Sequence, residues 1–115
     1  MYPTLKNGNI VLMKKYNLQL NYNDIVVIKK EDKIIIKRIV GLPNDSLNID
    51  NYLYVNGKKF DNKLIEKKGI IESDILLKEN EFFVLGDNRN NSIDSRFQEI
   101  GIINKNEIIG KVLFK

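Results

Sequence analysis

Cysteine, histidine and tryptophan are absent from this chain of 115 residues, and proline occurs only at Pro3 and Pro43. Without cysteine there is no disulfide framework. With histidine missing as well, no zinc site and no Ser-His or Cys-His pair is expected. Any hydrolytic chemistry must take its proton with another base. No apolar run approaches the ~20 residues of a membrane span, and no signal-peptide pattern is visible. Taken alone, residues 1–115 are therefore expected to be soluble. No repeat, low-complexity tract or Pro/Gly-rich linker divides them, so a single domain over 1–115 is expected.

The residues that are present describe a folded chain. Hydrophobic residues make up 43% and charged residues 30%, which argues against disorder. The net charge of +4 is spread over scattered lysine pairs such as Lys14-Lys15, Lys29-Lys30, Lys58-Lys59 and Lys67-Lys68. That pattern reads first as a solvated surface and only second as attraction to anionic lipid or nucleic acid.

The apolar pattern has period two or forms short continuous runs, with no sustained helical period. Strands are expected at Asn9–Met13, Asp24–Ile28, Lys33–Val40, Glu81–Leu85 and Glu107–Phe114. Tyr52–Val55, Asn56-Gly57 and Lys58–Phe60 form the clearest hairpin signal. Isoleucine, valine and aromatics dominate these runs, as strands prefer. The fold expected is mostly β, with short antiparallel strands in a closed or strongly coiled sheet and little helix. The stretch from Asn62 to Lys78 is polar and mixed, and no element can be placed in it.

Two places break the pattern. Lys37 lies inside a run of isoleucines, sharing a strand face with Ile35 and Ile39, while Arg38 shares the other with Ile36 and Val40. One reading is an edge strand whose lysine snorkels to water. The other is a desolvated lysine, neutral enough to act as a base. Moving its pKa from ~10.4 to about 7 requires roughly 4–5 kcal/mol of differential solvation.

The second break is Gly86–Arg96, which follows an apolar strand with two aspartates, two arginines, two serines and three asparagines. It is either a plain polar loop or one cross-linked by Asp87 with Arg89 and Asp94 with Arg96. Rigid loops on a strand scaffold often carry function.

Together these stretches resemble the type I signal peptidases, membrane-anchored serine proteases with a Ser-Lys dyad. Met1-Tyr2-Pro3-Thr4-Leu5 is similar to that family's nucleophile motif, Ser-Met-x-Pro-Thr-Leu, after its serine. Lys37-Arg38-Ile39-Val40-Gly41-Leu42-Pro43-Asn44-Asp45 follows the lysine motif with Asn44 in place of glycine. Gly86 to Arg96 follows the last motif in full, and Asp24-Ile25-Val26 meets a weaker one. The short stretch between Asp45 and Gly86 corresponds to a compact version of the fold.

The resemblance implies that Lys37 is the general base and that Ser92 orients its amine. It implies supporting roles for Asp87, Asn88, Arg89, Asp94, Ser95 and Arg96. It places Met1, Leu5, Ile35 and Ile36 near a cleft that takes a signal peptide as an added strand. No metal or other cofactor is implied. The implied setting is the extracytoplasmic face of a cell membrane, reached through an N-terminal anchor that residues 1–115 do not include.

The nucleophile of that motif would precede Met1. Ser46, Ser73, Ser92 and Ser95 are the only serines, and none occupies the motif's position. Residues 1–115 are therefore expected to be inactive alone.

Three other readings stand beside this one. The first is a non-catalytic relative that binds secretory or pilin-type peptides. The second is a cytoplasmic self-cleaving repressor, in which Gly86–Arg96 is not expected. The third is a small nucleic-acid-binding barrel built on Tyr52, Tyr54, Phe82 and Phe83, whose strand positions point instead to core packing; no nucleic-acid partner is expected.

Overall fold

A computed structural model describes residues 12–66, 74–90, 92–97 and 100–114. Ten strands follow in order: β1 (Leu12–Lys14), β2 (Ile25–Lys30), β3 (Lys33–Gly41), β4 (Ser46–Asp50), β5 (Tyr52–Val55), β6 (Lys58–Lys59), β7 (Ile75–Leu76), β8 (Glu81–Leu85), β9 (Ile103–Asn104) and β10 (Ile108–Phe114). A 3-10 turn, Lys105–Glu107, precedes β10. A six-stranded sheet has the order β1-β10-β2-β3-β8-β9, and a four-stranded sheet the order β6-β5-β4-β7. Every pairing is antiparallel. The fold is mostly β, as the period-two pattern implies.

The β-branched run at 33–41 forms β3 because both of its faces find apolar partners. Alternate residues of β8 divide between two cores: Phe82 and Val84 pack with Val26, Ile28 and Ile39, while Phe83 and Leu85 pack with Val40, Leu47 and Leu53. Ile39 and Val40, adjacent on β3, point to opposite faces and each enter one core, and a register shift against β8 falls between Ile39 and Gly41. Each such fully buried side chain contributes roughly 1.5–3 kcal/mol. Phe82 and Phe83 are thus core residues, and Tyr52 and Tyr54 are half-buried.

Turns follow their residue chemistry. Asn56 and Gly57 both have positive φ, 51° and 83°, as a tight hairpin with right-handed strand twist requires. Asn44, the departure from the motif's glycine, has φ of 72°. Asparagine tolerates that left-handed conformation, and it is held by Asn44 N–H donating to the Leu77 carbonyl at 2.9 Å. Asn44→Ala is expected to lower unfolding free energy by about 1 kcal/mol, with Asn44→Gly close to neutral. Urea denaturation measures both, and equal losses would contradict the conformational account.

Asp45 then ties three segments together. It accepts from Tyr22 Oη at 2.6 Å, the Leu42 amide at 2.8 Å and Asn56 Nδ2 at 2.8 Å. Burial, with the hydrogen bond to Asp45, pushes the Tyr22 hydroxyl up to about 12.

Candidate active site

β3 lies between β2 and β8, so its lysine is not on the outermost strand. Among the described residues, β8 nevertheless covers only part of β3. On the β8 side only Arg38, Ile39 and Gly41 are paired, with Leu85, Val84 and Phe83. Lys33 to Lys37 pair with β2 alone among the described residues. β8 ends at Leu85 and the chain leaves the sheet at Gly86, which leaves a notch among the described residues beside Lys37.

Ile39 exchanges backbone hydrogen bonds with Asn23 and Asp24 on the β2 side, both at 2.8 Å. Backbone groups alternate along a strand, so those of Ile36 and Ile34 face the notch.

Lys37 sits opposite Val26 and on the face of Ile35 and Ile39. Its Nζ donates to Ser92 Oγ at 2.9 Å, a contact across 55 positions of sequence. Burial among these apolar side chains pushes the Lys37 amine below its ordinary 10.5; the Asp94 carboxylate opposes that shift and the Arg96 guanidinium adds to it. Lowering a lysine pKa by burial is a recognised route to a base.

Gly86 makes the contact sterically possible. A Cβ there would overlap Ser92 Oγ and lie 3.5 Å from Lys37 Nζ. Gly86→Ala is therefore expected to displace Ser92 and reduce any activity that depends on the pair roughly 10²-fold, since displacements of ~1 Å cost that much. Peptide-cleavage assays measure the effect, and unchanged activity would refute a role for the contact.

The rest of the loop is held by charge-assisted hydrogen bonds. Asp94 Oδ1 accepts from Arg96 Nε at 2.8 Å, and Oδ2 from Arg96 Nη2 at 2.9 Å and the Gly86 amide at 3.0 Å. Both side chains are fully buried. Ser95 works as a substitute ladder partner for β8: its Oγ accepts from Val84 N–H at 3.0 Å and its own N–H donates to the Val84 carbonyl at 3.1 Å. Asn88 is half-buried on the same loop.

Of the two ion pairs anticipated within this loop, Asp94 with Arg96 forms. The other is redistributed. Asp87 accepts bidentately from Arg38 at 2.7 and 2.9 Å, while Arg89 reaches Asp61 at 2.9 Å and donates Nε to the Gly86 carbonyl at 3.0 Å. The reason is direction: Arg38 leaves β3 on the face opposite Lys37, where Asp87 is buried. The Asp87 bond further raises the Arg38 guanidinium above its usual value. Arg38 was legible as one of two adjacent cations, but Asp61 carried no signal.

Met1 and Leu5, expected at the cleft, lie outside the described residues. Ile35 and Ile36 are half-buried beside the notch. Two grooves of about 280 and 360 Å³ lie on the small sheet; Tyr54 and Gly57 border one, Tyr22 and Phe60 the other, and neither borders Lys37 or Ser92. Among the described residues, no group of three or more acidic side chains could hold a metal, and no helix is long and apolar enough to cross a membrane.

A sequence profile described as "Signal peptidase, peptidase S26" matches residues 1–115. The chain belongs to the signal peptidase family. Signal peptidase I S of Bacillus subtilis (strain 168) is 38% identical over 130 residues, covering 99% of this chain and 70% of that protein. Signal peptidase I of Bacillus caldolyticus is 38% identical over 139 residues, covering 100% and 73%. The crystal structure of a signal peptidase I from Enterococcus faecalis V583 superposes with a TM-score of 0.63 at 26% identity, covering 84% of this chain and 97% of that one. Signal peptidases of this kind are serine proteases of signal-peptide processing, so the family's substrates are signal peptides.

Proposed function

We propose that residues 1–115 are one catalytic core and supply the general-base half of a Ser-Lys endopeptidase that removes signal peptides. In this reading a serine preceding Met1 is the nucleophile, and the neutral Lys37 amine takes its proton as it attacks the scissile carbonyl. The same amine then returns the proton to the leaving nitrogen. Ser92 Oγ fixes the amine's direction. Asp94 with Arg96 holds the loop that carries Ser92, and Asp87 with Arg38 anchors the loop to β3. The substrate enters as an extended strand along the open edge of β3, with the Ile36 backbone pairing to it and Met1, Leu5, Ile35 and Ile36 lining the cleft. No cofactor takes part. The enzyme works at the extracytoplasmic membrane surface. The oxyanion-stabilising groups belong with the serine, so residues 1–115 alone are expected not to cleave.

The observation that carries this reading is the half-buried Lys37 amine 2.9 Å from Ser92 Oγ, with its pKa pushed down from 10.5. The test is a pH profile in protein that includes the upstream serine, on a peptide ending its leader in Ala-x-Ala. The base must be unprotonated, so kcat/KM should rise with pH and level off above the Lys37 pKa, at an inflection below 10.5. The same shift favours folding as pH rises: between the folded pKa and 10.5 the unfolded chain holds more protons, so stability from this group grows with pH and is lost as pH falls through the folded value. An inflection at the ordinary lysine value would remove Lys37 from the base role.

A further inference from the structure

The segment after β6 grips the Ser92 loop from the other sheet. It is pinned at both ends to β5 and its turn: Phe60 N–H donates to the Leu53 carbonyl at 2.8 Å and Ile65 N–H to the Asn51 carbonyl at 2.6 Å. Ile65 is buried in the core of that sheet. Between these pins, Asp61 is braced by Lys63 N–H donating to its Oδ1 at 3.0 Å.

Three contacts then cross to the loop that begins at Gly86. Asp61 takes the Arg89 guanidinium at 2.9 and 3.4 Å, Lys63 Nζ donates to the Asp87 carbonyl at 3.3 Å, and Glu66 N–H donates to Asn90 Oδ1 at 3.2 Å. The Arg89 side chain is only 3% exposed and Asp61 27%, so this pair is far from the solvated kind that contributes little. Arg89 passes the constraint on, because its Nε holds the carbonyl of Gly86 at 3.0 Å. The amide of that same glycine donates to Asp94, and its missing Cβ is the space Ser92 Oγ occupies.

We propose that Asp61–Glu66 is a positioning strap for the lysine site, with Asp61 its principal positioning residue, acting through Arg89 on Gly86 and thereby on Ser92. The inference rests on the reading of Lys37 as base. It adds that the small sheet sets the geometry of that base from a distance, through the Ser92 loop. Without the Asp61 carboxylate the nearly buried guanidinium turns toward water and releases the Gly86 carbonyl.

The experiment uses residues 1–115 and NMR, with two readouts. Hydrogen exchange at the Gly86 amide should accelerate roughly tenfold in Asp61→Asn, since the loop opens more often. The Lys37 Cε titration midpoint should rise, because a slack loop admits water to the amine. Direct electrostatics demand the opposite: Asp94 and Arg96 are the charges acting on Lys37, and deleting a further negative charge would lower the midpoint.

Asp61→Glu should restore both readouts in large part. Lys63→Met should reproduce a weaker version, and it serves if Asp61→Asn does not fold. Unchanged Gly86 exchange, or a Lys37 midpoint that stays or falls in Asp61→Asn, overturns the strap. An ordinary midpoint in the unsubstituted chain instead overturns the base reading; Gly86 exchange and its rescue by Asp61→Glu then decide the strap on their own.

Discussion

Lys37→Ala, in protein carrying the upstream serine, is expected to lower kcat/KM by at least about 10³-fold, with folding stability unchanged or increased. The two halves of that result come from one cause. Serine is a weak nucleophile at neutral pH and depends on an adjacent base; removing a member of such a machine costs 10³-fold or more. Among the described residues, the other groups acting on the Lys37 amine are the Ser92 hydroxyl, the Asp94 carboxylate and the Arg96 guanidinium. The guanidinium cannot give up its proton in water, and the carboxylate already accepts from Arg96 and Gly86.

Stability moves the other way because burial opposes the charged amine. Lys37→Met keeps the apolar stem among Val26, Ile35 and Ile39 and removes the desolvated group, so its midpoint in urea should equal or exceed that of the unsubstituted protein. Lys37→Arg is the stringent control. It preserves a long cationic side chain and should be as inactive as alanine, since a guanidinium stays protonated across the working range. Cleavage surviving in Lys37→Arg would show that the residue acts as a fixed charge instead of a base.

How much of this could be read beforehand depends on where each signal resides. β3 and β8 were legible within a residue because β-branched and aromatic runs with an apolar partner on each face need no distant information. The Asn56-Gly57 hairpin was legible because two consecutive positive φ values admit few residues. β4 went unread although Ser46–Asp50 alternates cleanly, with Leu47 and Ile49 buried, because its polar positions look like an extension of the preceding turn. β7 and β9 have two residues each and exist only through their neighbours, which no local pattern records.

The site divides similarly. Lys37 and the Gly86–Arg96 loop announced themselves as polar residues in apolar surroundings. Their partnership spans 55 positions, and the exchange of Arg89 for Arg38 on Asp87 depends on which face of β3 meets the loop. Asp61 is one aspartate among many in sequence. It acquires meaning only because β6 ends where the loop passes.

Asp94→Ala is expected to cost about 3–5 kcal/mol, a large part of the 5–15 kcal/mol that holds a domain of this size together. Asp94 and Arg96 are both fully buried and joined by bonds of 2.8 and 2.9 Å. Removing the carboxylate strands a buried guanidinium, and it also takes the acceptor from the Gly86 amide. The magnitude comes from that stranded charge and not from the attraction of the pair, which largely repays its own desolvation.

A double variant separates the two contributions. Asp94→Leu with Arg96→Met removes both charges and fills the space, so most of the lost stability should return. Activity should not return with it. The Gly86 amide would still lack its acceptor, Arg96 Nη2 would no longer reach the Ser92 carbonyl at 3.4 Å, and Ser92 would lose the frame that aims it at Lys37. Chemical denaturation beside peptide cleavage reads both quantities on the same samples. Recovery of stability together with cleavage would mean that the buried pair only fills space; recovery of stability alone would mean that it is retained to aim Ser92 at the lysine.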